Sequence, residues 1–154
     1  MLDDPPIVMF SCNGNHADGG IKDTAKNAIE TGEFVYNMAT WDLRGEMNAS
    51  SSGVGREVDE FELAGLEKAE SRIVAAPRVA RSPIQFECKT TKVVELPGNK
   101  FDATVVFGEV VGIHIDDSAL LDGMVDLTRV KPIARLGYMQ YAVVEEVFEI
   151  ERPG

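Results

Sequence analysis

The chain is short of the residues that build disulfide frameworks and metal centres: two cysteines and two histidines in 154 residues. Cys12 and Cys88 lie far apart and form no C-x-x-C, so they are read as reduced thiols of a cytoplasmic protein. His16 and His114 belong to no ligand-spaced cluster, and no metal site is expected. No apolar run reaches the length of about eighteen residues that a membrane-spanning helix needs. The first residues, MLDDPP, lack the basic and apolar regions of a signal peptide. Positive charge is also scarce. Fifteen Lys and Arg stand against 26 Asp and Glu, for a net charge of −11, so no nucleic-acid partner and no membrane partner is expected. An anionic cofactor would need a local cationic pocket against that field. G-x-S-x-G, Walker and G-x-G-x-x-G motifs are absent, leaving serine-hydrolase, P-loop and Rossmann readings without support.

What is present reads as one domain over 1–154, mainly β with short helices. An apolar strand over 6–12 ends at Ser11-Cys12. A Gly/Asn/His loop follows, and then a short helix over 24–31, with Ala25, Ala28 and Ile29 on one face and Gly32 at its C′ position. A strand over 33–40 comes next. Asp42 is expected to cap a helix over 43–48, and residues 50–55 form a flexible loop. Asp59 and Glu62 have the spacing of a capping box, with Val58 and Leu63 as its hydrophobic staple, for a helix over 59–64. Pro77 and Pro83 mark a connector. Long strands are expected over 84–95, 103–115 and 138–150, with Pro97-Gly98-Asn99 as a turn and a short helix over 126–130. Long β-runs with helices inserted between them favour a decorated barrel over alternating βαβ units.

Three groups of residues could carry chemistry. Lys22 supplies a charge, Thr24 a hydroxyl, and the helix that follows supplies free N–H groups, which is the recipe for holding a phosphate. Ser11, ending the neighbouring strand, could face the same point, and Asn27 and Arg44 are weaker additions. The plain alternative is that Asp23 or Thr24 caps the helix and Lys22 is solvated. On the strand 103–115, alternation puts Gly108, Gly112 and His114 on one face, leaving room for a bend or a close neighbour such as a flat ring. Arg135 and Tyr141 could meet a ligand edge, or form a salt bridge and a core contact.

The segments KDT…N…TGEFV·N (from Lys22), MNASS (from Met47), PRVARSP (from Pro77), GEVVGIH (from Gly108) and ARLGY··Y (from Ala134) resemble the flavin reductase-like family. Tyr138 stands where a second Gly is common. The resemblance runs from Pro5 to Pro153 and implies an FMN-binding split β-barrel. It implies Ser11, Lys22, Thr24 and Asn27 at the FMN phosphate, Asn48, Arg135 and Tyr141 near the ring system, and catalytic His114 near a nicotinamide from NADH or NADPH. It implies a homodimer with the flavin at its interface. Family members carry a further N-terminal stretch, so the barrel is expected to be N-terminally short, with exposed strand edges. Two functions follow: an NAD(P)H-dependent oxidoreductase working through bound FMN, or a truncated or flavin-free split-barrel binding module without activity.

Overall fold

The computed structural model describes residues 2–154, with the side chains of Leu2 and Asp3 left aside. Met1, where the N-terminal segment read above begins, lies outside the described residues. In chain order the elements are β1 (Leu2–Asp3), β2 (Pro6–Asn13), α1 (Asp23–Glu30), β3 (Glu33–Asn37), α2 (Arg44–Ala49) and α3 (Glu60–Ala64). They continue as β4 (Lys68–Ala69), β5 (Arg78–Val79), β6 (Ile84–Leu96), β7 (Ala103–Ile115), β8 (Leu120–Leu121) and β9 (Met124–Val125). The last are α4 (Leu127–Val130), β10 (Ile133–Gly137) and β11 (Gln140–Val143). The fold is mainly β with short helices, as expected.

One antiparallel sheet of order β1-β2-β7-β6-β3 organises the molecule. β6 and β7 are its spine, paired from Ile84↔Ile115 to Leu96↔Ala103. One face is apolar. Phe10, Cys12, Phe34 and Val106 gather there against Ala25 and Ala28 of α1, whose small side chains let the helix lie close to the sheet. Ile29 remains partly exposed. Further along the same face, Ile84 and Phe86 pack with Met38, Ala119 and Val130. On the other face, the region of β3, β6 and the end of β7 is polar, with Glu33, Asn37, Gln85, Glu87 and His114, and the segment 70–82 lies over it.

β7 is not a regular strand. Glu87 pairs with Gly112 while Cys88 pairs with Val110, so Val111 is an extra residue, a β-bulge. A bulge reverses the alternation beyond it. Gly108 faces Phe34 and Cys88, whereas Gly112 faces Ile73 and Glu87. The single face expected for Gly108, Gly112 and His114 is therefore two faces.

Three local expectations are corrected. Asp42 caps nothing: it sits inside a tight 3-10 turn, Trp41–Leu43, and α2 starts after Leu43 with no side-chain cap. The strand expected over 138–150 is only β11, which pairs back on β10 through a turn at Tyr138 and Met139. Residues 144–150 are apolar enough for a strand but form no ladder, so none is made. The connector 77–83 contains β5, paired to β4. The Asp59 cap is present, accepting from Phe61 N at 2.9 Å, and Gly65 closes α3 in the left-handed region.

Candidate functional site

The approach to α1 is a loop that two side chains hold in shape. His16 Nε2 lies 3.1 Å from Val54 O, and His16 Nδ1 accepts from Asp18 N, so the ring is satisfied as the Nε2–H tautomer. Arg56 pairs with the Asp23 carboxylate and donates to the carbonyls of Gly19 and Ile21 at 2.9 and 3.1 Å. Sequence reading missed Arg56, because 33 residues separate it from Asp23 and no local pattern ties them.

The N-cap of α1 is Lys22, whose side chain makes no cap bond, and neither Asp23 nor Thr24 supplies one among the described residues. Among the described residues the Lys22 ammonium makes no ion pair, in contrast to Lys26, Lys68 and Lys89. The helix thus offers uncapped N–H groups, an exposed cation and the exposed Thr24 hydroxyl at one end. Ser11 is elsewhere. Phe10 and Cys12 face α1, so alternation points Ser11 from the opposite side of β2, where among the described residues its hydroxyl reaches only Asn13. Cys12 occupies the place proposed for Ser11. Burial pushes its thiol up, against the Ala25 N–H and the Lys22 charge.

Below this helix end a cleft of about 760 Å³ runs along the free edge of β3. Thr24 and Asn27 line one wall, Ala75 to Pro77 the other, and Phe61 and Leu66 the base. Its size is that of a small-molecule site. Glu60 also lines it; burial raises its carboxyl and the Asp59 charge adds to the rise. Ser50 borders this cleft and a smaller neighbouring hollow that reaches Met47. Met47 in turn borders an apolar pocket of about 360 Å³ between α2 and the β10–β11 hairpin. Asn48 and Tyr141 meet there, with Trp41 and Arg44. The Arg44 guanidinium lies 3.9 Å from the Trp41 ring centroid, and Arg135 stands 6.0 Å from that of Tyr141. Tyr138, at the position where a Gly is common, adopts φ 53° and leaves its ring almost wholly exposed. The turn thus keeps the glycine conformation without the glycine, at some cost in strain.

His114 joins neither hollow. Its Nε2 lies 2.5 Å from Glu87 Oε1. Glu87 is fully buried and also accepts from the N–H groups of Arg72, Ile73 and Val74 at 2.9, 2.6 and 2.9 Å. Burial opposes the charge, but these four donors outweigh it and hold the carboxyl at about 2, down from 4.5. Glu33 extends the arrangement, accepting from Ala75 N at 2.5 Å and pairing with Lys89. Segment 72–75 is therefore a run of N–H groups wrapped round two internal carboxylates. The sequence predictions for Lys22, Thr24 and Asn27 converge on one region, and those for Asn48, Arg135 and Tyr141 on an adjoining one. Ser11 and His114 stand apart from both.

The sequence matches the family described as Flavin reductase like domain over residues 2–134. An uncharacterized protein of Aquifex aeolicus is 38% identical over 140 residues, spanning 90% of this chain and 69% of that protein. Nitrilotriacetate monooxygenase component B from Bacillus cereus has a structure similar at TM-score 0.87 and 30% identity, covering 97% of this chain and 74% of that one. A split-barrel protein of Shewanella frigidimarina, at 21% identity and TM-score 0.83, covers 99% of this chain and 74% of its own and shares the fold. Among the described residues, no helix is long and apolar enough to cross a membrane.

Proposed function

Because the chain belongs to the flavin reductase-like family, we propose that it binds FMN and passes electrons from NADH or NADPH through the bound flavin to free flavin or another acceptor. The observation that carries this reading is the open end of α1. An uncapped helix N-terminus, an unpaired Lys22 and the Thr24 hydroxyl fit a phosphate, and they do so in a protein whose overall charge opposes anions. Thr24 and Asn27 would orient the group from the cleft wall. The track along α2 leads on to Asn48, Arg135 and Tyr141, the residues for the ring system. FMN, once held, supplies the redox chemistry, and the tasks left to these side chains are placement and electrostatic tuning. His114 enters the reading as the residue that fixes the 72–75 segment through Glu87. Cytoplasmic residence belongs to the same proposal.

A homodimer is part of it. The chain exposes 10805 Å², against about 7,600 Å² for a compact monomer of its mass. The excess includes Ile113, Met139, Phe148 and Ile150, each more than half exposed. Covering such surface against a second copy would bury more than about 1,000 Å². Light scattering at micromolar concentration should give twice the chain mass; a monomer rejects this element.

The second reading, a flavin-free binding module, draws on Ser11 facing away and His114 being committed to Glu87. Colour separates the two. A yellow protein, or one that becomes yellow with added FMN, supports the enzyme; a colourless one that cannot be reconstituted supports the module. Lys22→Ala should weaken FMN binding by about 1–3 kcal/mol, the scale of a charge-assisted hydrogen bond. An unchanged dissociation constant by flavin fluorescence removes Lys22 from the site.

A further inference from the structure

On the polar face of the sheet, away from the α1 cleft, a hollow of about 380 Å³ is walled by Arg72, Arg78, Gln85 and His114, with Asp116 at its side. Two arginines and a histidine thus converge in a chain of net charge −11. Their donors are only partly spent. Arg78 donates from Nε and Nη2 to Glu70 O at 3.1 and 2.9 Å, and from Nη1 to Gln85 Oε1 at 3.0 Å. Five N–H groups are available to a guanidinium, so two of them are left. Gln85 is buried and fully occupied, its Nε2 donating to the carbonyls of Val79 and Ser82. It holds Arg78 in place and leaves the arginine to face the hollow. Arg72 is anchored by its backbone on Glu87, while its guanidinium makes no hydrogen bond or ion pair among the described residues. The Asp116 carboxylate is turned to Ser118 N at 2.8 Å, and the Glu87 charge beneath is covered by four donors.

We propose that this hollow recognises the oxyanion end of a small molecule, a carboxylate or a phosphate. The Arg72 guanidinium and the unspent N–H groups of Arg78 supply charge-assisted donors, and Gln85 pre-sets the second arginine. The proposal is independent of FMN binding, since no residue of the hollow belongs to the α1 cleft.

The test uses the full chain and the imidazole NMR signals of its two histidines, with inorganic phosphate and acetate titrated separately at constant ionic strength. His114 should shift saturably with at least one anion, with a dependence on concentration separate from any His16 shift that phosphate at the α1 end produces. Saturation by phosphate alone, or by acetate alone, names the group recognised. Arg72→Gln, an exposed position, should weaken the response at least about tenfold, and Lys22→Ala should leave it unchanged. Arg78→Lys, which keeps the charge and loses the fork, should also weaken it. No saturable His114 shift with either anion, or a response of equal strength in Arg72→Gln, overturns the proposal.

Discussion

The two faces of the central sheet are held by different forces. On one, α1 presses Ala25 and Ala28 against Phe10, Phe34 and Val106, and the contact is apolar and close. On the other, the 70–82 segment is tied down by hydrogen bonds to Glu87, Glu33 and Asn37. The apolar face depends on shape and tolerates no added atoms where it is tightest. The polar face depends on charge and geometry, and it should be indifferent to a methyl group but sensitive to protons. β7 serves both faces because Val111 reverses it partway along.

The largest break in this contrast should come from Glu87→Ala. It leaves three backbone N–H groups and the His114 ring without their acceptor. A loss of about 3–5 kcal/mol is expected, the scale for removing one member of a buried charge arrangement. Urea denaturation measures it, and a loss below about 1 kcal/mol would show that the clasp matters little. Acid probes the same group without mutation. The Glu87 carboxyl is held at about 2 in the folded chain, from 4.5. Its contribution is therefore complete above the upper value and is lost as pH falls through that window. Wild-type stability should fall there, and the Glu87→Ala variant should show a shallower fall.

Gly108→Ala attacks the apolar face. A Cβ there would overlap the Phe34 ring and lie 3.2 Å from Cys88 Cβ, with core on both sides. Overpacking of this kind costs about 1–3 kcal/mol, and an unchanged thermal midpoint would contradict the account of that face. Asp59→Ala removes the α3 cap and the Lys68 ion pair, for about 1 kcal/mol. Gly112→Ala should be the mildest, within about 0.5 kcal/mol. Its Cβ would meet Ile73 Cδ1 at 3.1 Å, and that methyl is the end of a half-exposed, movable side chain. A Gly112 effect as large as that of Gly108 would mean the polar face is as tightly packed as the apolar one.

The parts of the fold legible in sequence are those that repeat. The strand 103–115 was expected with the bounds it has, because its apolar residues and turn signals mark it. α1 and α3 were legible from small-residue spacing and from Asp59. The bulge was not, since Val110-Val111 looks like any strand pair and only the partner strand shows which residue is extra. The same blindness placed His114 beside Gly108. The Glu87 clasp was equally hidden, because three of its four partners are backbone N–H groups, which leave no mark on the sequence. Of the candidate site, the loop entering a helix that brings Lys22, Thr24 and Asn27 to one region was readable. Ser11 was misplaced by one residue of alternation, and Arg56 carried no local signal.

Val111 acts on β7 as an inserted letter acts on a reading frame. Everything before it is unchanged, and everything after it is read from the other side. Were Val111 taken into the regular ladder instead of bulging out of it, Ile113 and Ile115 would turn over Glu87 and His114 toward the apolar side, with no change in composition; deleting Val111 would leave a straight strand with His114 still opposite Gln85. The chemistry available on the polar face is thus encoded less by which residues follow position 111 than by the one residue there that the ladder skips.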